Sequence, residues 1–220
     1  MSKRNILVLS DSHGVVFNSV ILKILFPKHR FRVTQVNGAT ISGIENPNSK
    51  TQALDSFEKA LEKNKDCQKC VLLLGEVDTG FVLWYKHEQD GSDMDNLLDK
   101  TQEKFVRLIN KVAHSGYEPI IVSTPLPTIK DGNIWGEIAN KRKIIKANQI
   151  ERTKLTIKFN NRVCRSVEKL GCTYLSLDDI CLSRSTGTIK NYFRHPNKTN
   201  HHYNKFVYTI VLWWKFRGKI

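Results

Sequence analysis

Residues 6–14 read ILVLSDSHG, and this short stretch decides the fold class. Its first four side chains are all apolar, which is typical of a strand buried on both faces of a parallel sheet. The five residues that follow are polar or glycine and mark the loop that leaves the strand. Residues 71–74 repeat the apolar run and are followed by Gly75. The sequence therefore predicts buried parallel strands that end in polar loops.

Further strands and helices alternate along the chain. The remaining apolar runs predict strands at Arg32–Val36, Pro119–Val122 and Thr173–Leu177. Apolar residues recur at helical spacing in three segments, which are 54–61, 98–112 before Gly116, and 155–170 before Gly171. Strands that alternate with helices predict an α/β three-layer sandwich around a central parallel sheet of about five strands.

The 220 residues suit a single domain spanning 1–220, and residues 128–146 are expected to form an insertion or lid in an otherwise regular pattern. The 35 Lys and Arg exceed the 21 Asp and Glu and give a net charge of +14. Such a surplus favours a polyanionic surface or carrier as partner, although codon usage alone also produces Lys-rich chains. We expect no specific nucleic acid, because the basic segments Lys141–Lys146 and Trp213–Arg217 come with no recognised nucleic-acid motif.

The lengths of the apolar runs and the number of cysteines bear on the compartment and on cofactors. The apolar run at residues 6–9 is too short for a signal peptide, and the run Phe206–Trp214 is too short for a membrane span. We therefore expect a cytoplasmic protein with no transmembrane segment. Five cysteines, an odd number, indicate reduced thiols. Cys67 and Cys70 have zinc-like spacing but lack a second pair of ligands, so we expect them to open a buried strand, and we expect no metal or other cofactor.

Polar clusters follow each of the first four predicted strands. They lie at residues 10–14, 37–43, 75–80 and 123–127, and a late cluster at 197–204 contains His201 and His202. The carboxyl ends of parallel strands meet at one edge of a sheet, where ligands bind in such folds. The sequence therefore predicts a site at this edge.

These clusters resemble the sequence blocks of the SGNH/GDSL hydrolase superfamily. Ser10-Asp11-Ser12 resembles its Gly-Asp-Ser block, and Gly38 matches the glycine after the second strand. Gly75-Glu76-Val77-Asp78 resembles the Gly-Glu-Ile-Asp variant found in domains of bacterial surface-glycan biosynthesis. Residues 159–177 resemble the helix and strand that precede the last block. The resemblance implies a flavodoxin-like sandwich and a serine hydrolase.

The same resemblance implies roles for individual residues. Ser12 is the expected nucleophile, and His202 is preferred over His201 as its base because His202-Tyr203-Asn204 resembles the family's last block. The backbone N–H groups of Ser12 and Gly38 are expected to hold the oxyanion. Asp78 and His201 are the expected substrate-binding residues. The implied function is an esterase or O-acyltransferase that acts on a glycan ester through an acyl-enzyme, with an acylated carbohydrate or acyl donor as partner.

Two positions depart from the family pattern. Val77 stands where the family has the oxyanion-hole Asn, and Thr199 stands where it has the Asp that orients the histidine. We therefore expect the second ring nitrogen of His202 to meet a backbone carbonyl, a water or a remote carboxylate such as Asp178 or Asp179. We also expect His202 Nε2 to lie within hydrogen-bond reach of Ser12 Oγ, with His201 pointing elsewhere.

Two further interpretations stay open. One is a catalytically degenerate domain that binds carbohydrate. The other is a calcineurin-like metallophosphoesterase, because Asp11-Ser12-His13 also resembles the first metal-binding block of that family. Its later blocks are missing from the sequence, and without them a two-metal site has too few ligands.

Overall fold

The computed structural model describes residues 3–132 and 144–220, and it contains one sheet of five parallel strands. The strands are β1 (Arg4–Ser10), β2 (His29–Gln35), β3 (Lys69–Leu73), β4 (Glu118–Val122) and β5 (Thr173–Leu175). Their order, β2-β1-β3-β4-β5, is that of the flavodoxin-like doubly wound fold. The five predicted strands are confirmed, with ends that differ by at most three residues.

Helices cover both faces of the sheet. They are α1 (Val20–Leu25), α2 (Ala53–Lys63), α3 (Leu83–Asp90), α4 (Met94–His114), α5 (Gln149–Lys169), α6 (Asp178–Cys181) and α7 (Lys205–Phe216). A short antiparallel hairpin, β6 (Leu182–Ser183) and β7 (Thr188–Ile189), follows α6. The α/β three-layer sandwich expected from the sequence is confirmed.

The uniform apolar character of β1 has a direct structural cause. Leu7 and Leu9 enter the core on the face covered by α2, α4 and α5. Ile6 and Val8 enter the core on the opposite face, against α1 and α7. Since none of residues 6–9 faces water, this part of β1 shows no alternation of polar and apolar residues.

Two glycines end the long helices as the sequence predicts. Gly116 follows α4 with φ of +91°, and Gly171 follows α5 with φ of +66°. These left-handed conformations are the common way to close a helix, and they favour glycine because it lacks a Cβ. At its other end, α5 begins with a capping box formed by Asn148 and Glu151.

The expected insertion at residues 128–146 falls partly on residues 133–143, which lie outside the described part. The segment before them is fastened to the first turn of α5. Gln149 Nε2 donates to Pro127 O at 2.7 Å, and the Arg152 guanidinium donates to Ile129 O at 2.9 Å. The chain therefore leaves β4 along the amino end of α5.

Cys67 and Cys70 are buried at the start of β3, with 3% and 0% of their surface exposed. Both are free thiols. The expectation that this pair opens a buried strand is confirmed. Within residues 3–132 and 144–220, no helix combines the length and apolar character that crossing a bilayer requires.

Candidate active site

The loop after β1 places Ser12 at the start of a short 3₁₀ helix, Ser12–Asn18. Asp11 caps this helix, because its Oδ1 accepts a hydrogen bond from the His13 backbone N–H at 2.8 Å. The same carboxylate oxygen lies 3.2 Å from His13 Nδ1. Asp11 and His13 are buried, while Ser12 is partly exposed. The loop thus turns Ser12 toward solvent at the carboxyl end of the sheet.

Gly14 permits this turn because it lies directly against β1. A Cβ atom on Gly14 would stand 1.8 Å from Ser10 Oγ and 2.6 Å from Ser10 Cβ. Ser10 has no exposed surface, so its side chain has no room to move away. The close approach of the helix to the strand therefore requires glycine at position 14.

We expect Gly14→Ala to destabilise the protein by about 1–3 kcal/mol, the usual cost of forcing a methyl group into a packed core. Replacing Ser10 by glycine removes both clashing atoms, so Ser10→Gly/Gly14→Ala should recover part of the loss. Urea unfolding of the two single variants and the double variant gives the coupling between the two sites. Equal midpoints for Gly14→Ala and the wild type, or additive losses in the double variant, would contradict this explanation.

His202 is oriented by the side chain of Asn200. Asn200 Oδ1 accepts from the His202 backbone N–H at 2.9 Å and lies 2.8 Å from His202 Nδ1. A backbone N–H only donates, so the amide atom it meets is the oxygen. Nδ1 must then carry the ring proton, which leaves a lone pair on Nε2. This is the tautomer that a general base at Nε2 requires.

The surroundings of His202 keep its ring neutral. Its ring centroid lies 5.0 Å from that of His13 and 4.2 Å from that of His201. Burial, reinforced by these two imidazoles, lowers the pKa of His202 to about 3, while the Glu76 carboxylate acts in the opposite direction. A neutral imidazole is the form that accepts a proton.

The segment that carries His202 is held between the end of β4 and α7. The Leu126 backbone N–H donates to Tyr203 Oη at 2.6 Å, and Thr128 Oγ1 donates to His201 O. On the other side, Asn204 Oδ1 accepts from the backbone N–H of Phe206 at 3.1 Å and so caps α7. The histidine is therefore fixed from both directions along the chain.

The structure brings Ser12 and His202 to the same edge of the sheet but does not join them. The ring of His13, the residue after Ser12, is the one that packs against His202. Among the described residues, His202 Nε2 is buried without a hydrogen-bond partner. The expected hydrogen bond from Ser12 Oγ is thus not formed. His201 does not point away either, since its ring packs against that of His202.

The expectation for the second ring nitrogen of His202 is also wrong. Nδ1 meets the amide oxygen of Asn200, and not a backbone carbonyl, a water or a remote carboxylate. Asp178 is engaged elsewhere, because Asn160 Nδ2 donates to its carboxylate at 2.9 Å. Burial raises the pKa of Asp178 to about 6.

Asp78 needs a correction as well. We expected a substrate-binding residue, but its side chain has 0% exposed surface. Its carboxylate accepts from the backbone N–H groups of Ile41 at 2.7 Å and Ser42 at 2.9 Å. Burial raises the pKa of Asp78, because moving a carboxylate out of water destabilises its charged form. Through these two hydrogen bonds Asp78 holds the loop that follows β2. Its buried carboxylate offers no surface for a substrate to contact.

That loop contains Gly38, the second expected oxyanion donor. The backbone N–H of Val36 donates to Ser10 O at 2.9 Å and extends the pairing of β1 and β2 past the end of β2. Gly38 comes two residues later with φ of +74°. Its role in holding an oxyanion stays a prediction. Val77, at the family's Asn position, is partly exposed and has no side-chain donor.

Three residues near His202 have no role in the site as predicted from the sequence. Asn200 was overlooked because the family template places the orienting residue three positions before the histidine, and Asn200 is two before it. Glu76 has no assigned role in the sequence analysis, although an acidic residue directly after a buried strand is a usable signal. His13 was interpreted only as a turn residue or a metal ligand.

Several solved structures superpose on nearly the whole of this chain. The acetyl xylan esterase AlAXEase superposes with a TM-score of 0.63 at 11% identity, covering 98% of this chain and 99% of the other. A GDSL-like lipase from Bacteroides thetaiotaomicron gives 0.63 at 12% identity, covering 97% and 87%. Est24, a carbohydrate acetylesterase from Sinorhizobium meliloti, gives 0.61 at 11% identity, covering 99% and 98%. No protein-family model matches the sequence, and comparison with curated proteins gives no significant match.

Proposed function

We propose that this chain, which has the fold of the GDSL/SGNH hydrolases, is a serine-dependent ester hydrolase with Ser12 as nucleophile and His202 as base. One observation carries the proposal. Asn200 fixes the tautomer that leaves Nε2 of a neutral His202 unprotonated, at the sheet edge where Ser12 opens its helix. Packing of the ring alone does not require a fixed tautomer, whereas proton transfer at Nε2 does.

The chemistry follows the usual course for an activated serine. His202 Nε2 takes the proton of Ser12 Oγ as that oxygen attacks the ester carbonyl. The backbone N–H groups of Ser12 and Gly38 stabilise the oxyanion, at about 2.7–4 kcal/mol per donor. The protonated ring then gives its proton to the departing alcohol and leaves an acyl-enzyme. Water, or a sugar hydroxyl in the case of acyl transfer, takes the acyl group from Ser12.

Proton transfer requires Nε2 and Ser12 Oγ to approach each other. Catalytic hydrogen bonds are often long in unliganded enzymes and shorten when substrate binds. In this site the approach has to displace the His202 ring relative to that of His13, which packs against it. We therefore place the formation of the Ser12–His202 pair after substrate binding.

Orientation and charge stabilisation come from different residues in this site. Asn200 orients the ring but is neutral, so it stabilises the imidazolium less than the usual carboxylate. The carboxylate that acts on the His202 ring is that of Glu76. It raises the pKa of His202, whereas burial lowers it. Glu76 is itself buried, with 3% of its surface exposed. We infer a slow enzyme in which Glu76 supplies the charge and Asn200 the orientation.

A glycan ester is the substrate we favour. Two of the solved structures with this fold are named as an acetyl xylan esterase and a carbohydrate acetylesterase. The Gly75-Glu76-Val77-Asp78 block, which resembles the variant of surface-glycan biosynthesis, supports the same class. Hydrolysis and O-acyl transfer share one acyl-enzyme, so the yield of acylated sugar at rising acceptor concentration separates them.

We expect kcat/KM to stay flat on the acid side down to roughly pH 5, where an ordinary histidine base is mostly protonated. This extension of activity to lower pH follows from the lowered pKa of His202. The base stays unprotonated until the pH approaches that pKa of about 3. Asn200→Asp should place a carboxylate beside Nδ1, raise that pKa, move the acid limb to higher pH and increase kcat at neutral pH.

Release of acetate from an acetylated sugar, measured against pH, tests this prediction. Asn197→Asp is the matched control, because it adds the same charge to the same loop while Asn197 Oδ1 accepts from Thr199. An acid limb near pH 6.5 in the wild type, or equal shifts in the two variants, would contradict the assigned role of Asn200 as the positioning residue.

A binding domain without activity is the second candidate. It is favoured by the missing hydrogen bond between Ser12 and His202 and by the absence of a side-chain donor at Val77. Such a domain would bind acetylated sugars with equal affinity in the wild type and in Ser12→Ala and would release no acetate from them.

A further inference from the structure

Helix α7 carries large apolar side chains on its solvent-facing side as well as on its buried side. Tyr208, Leu212 and Phe216 are buried on the inner side, against the core that also receives Ile6 and Val8. On the outer side Phe206, Ile210 and Trp214 stand four residues apart, with 59%, 37% and 57% of their surfaces exposed. A surface helix of a protein normally turns polar residues to solvent.

Helix α1 carries two further exposed apolar side chains. It packs against α7, and its Val20 and Ile24 are 67% and 69% exposed. We call the five side chains Val20, Ile24, Phe206, Ile210 and Trp214 the α1–α7 patch. Single exposed apolar residues are common, but a group of five on two adjacent helices marks an interaction site.

The charged residues in the two segments that carry this patch are all basic. Residues 15–28 and 205–220 contain six basic side chains and no Asp or Glu. The six are Lys23, Lys28, Lys205, Lys215, Arg217 and Lys219. None of them forms a salt bridge within residues 3–132 and 144–220.

Aromatic rings lie among these cations. Lys215 Nζ stands 5.2 Å from the centroid of the Trp214 ring, and the Arg217 guanidinium stands 5.1 Å from that of Trp213. Tryptophan is favoured at the level of lipid headgroups, and Lys and Arg reach the phosphates while their aliphatic stems cover apolar surface.

We propose that the α1–α7 patch docks this protein on the surface of an anionic lipid bilayer. The apolar side chains enter the boundary between headgroups and acyl chains, and the surrounding cations contact anionic headgroups. A second copy of the chain fits this surface poorly. A symmetric contact would place the six cations of one copy against the same six of the other, with no acidic residue in either segment to offset them.

Docking in this way has a geometric consequence for the candidate site. Asn204 caps α7, and His202 lies two residues before it. The amino end of the docked helix is therefore continuous with the segment that carries the histidine. The proposal itself does not depend on esterase activity, because it rests on the exposed side chains and on charge alone.

Co-sedimentation with lipid vesicles tests the proposal. We expect the wild type to bind vesicles of phosphatidylcholine with about 30% phosphatidylglycerol at least tenfold more tightly than pure phosphatidylcholine vesicles, with binding weakened by salt. Phe206→Ser/Ile210→Ser/Trp214→Ser should lower the affinity by about tenfold or more, because three apolar anchors are lost.

Tyr85→Ser/Ile150→Ser is the matched control. These two side chains, each 41% exposed, belong to α3 and α5, outside the patch, and their replacement should leave binding unchanged. Circular dichroism and thermal unfolding verify that each variant is folded. A second variant set, Lys215→Gln/Lys219→Gln, should weaken binding to anionic vesicles while retaining the patch.

Four results would overturn the proposal. They are no binding of the wild type to anionic vesicles, equal binding to both lipid compositions, unchanged binding of the folded triple variant, and a dimer in sedimentation equilibrium that the triple variant loses. The last result would assign the patch to contact between two copies of the chain.

Discussion

Ser12→Ala is expected to abolish ester cleavage while leaving the fold intact, with a loss of kcat of about 10⁴-fold or more. Ser12 Oγ is the atom that forms the ester bond to the acyl group in the proposed mechanism, and alanine lacks it. Ser12 is partly exposed and its side chain takes no part in capping the 3₁₀ helix, which Asp11 caps. Stability should therefore change little.

A fluorophosphonate probe provides a second measurement. The wild type should be labelled at Ser12 and the Ser12→Ala variant should not be labelled. Ser185→Ala, an exposed serine in the hairpin segment between β6 and β7, is the control and should be labelled as the wild type is. Labelling of another serine, or full activity of Ser12→Ala, would remove Ser12 from the mechanism.

His202→Ala should lower kcat by about 10⁴-fold, whereas His201→Ala should keep most of the activity. The difference follows from the Asn200 hydrogen bonds, which fix the His202 tautomer. The carbonyl oxygen of His201 accepts from Thr128, and alanine retains this hydrogen bond. Removal of the His201 ring also removes one of the imidazoles that lower the pKa of His202.

Steady-state kinetics with an acetylated sugar compares the two variants at pH 7. Loss of activity in His201→Ala with retention in His202→Ala would transfer the base to His201. Equal activity in both variants, with no labelling by the fluorophosphonate, would favour the binding domain. Calorimetric titration with the acetylated sugar then measures whether ligand is still bound.

The centre of the sheet was predictable because β1 and β3 carry their burial in their own sequences. Residues 6–9 and 71–74 are apolar at every position, and this alone indicates strands covered on both faces. The 3₁₀ helix at Ser12–Asn18 was not predicted, because its formation depends on Gly14 fitting against Ser10, a contact between two elements.

The site was predictable only in its location. Polar clusters after the strands placed Ser12 and His202 at one edge, which the structure confirms. The role of Asp78 was misjudged because a carboxylate in a sequence gives no sign of whether it faces solvent or backbone N–H groups. The packing of His13 against His202 depends on two loops far apart in the chain, and no local pattern encodes their separation.

The bond between Leu126 and Tyr203 ties the backbone after β4 to the segment of the candidate base. Deuterium can replace the Leu126 amide hydrogen only when this bond opens, and the same opening releases the residue next to His202. Exchange at that one amide therefore reports how often this tie between the end of β4 and the histidine segment opens. The protection factor of a single backbone hydrogen thus becomes a measure of how much of the population holds the histidine segment against the end of β4 at any moment.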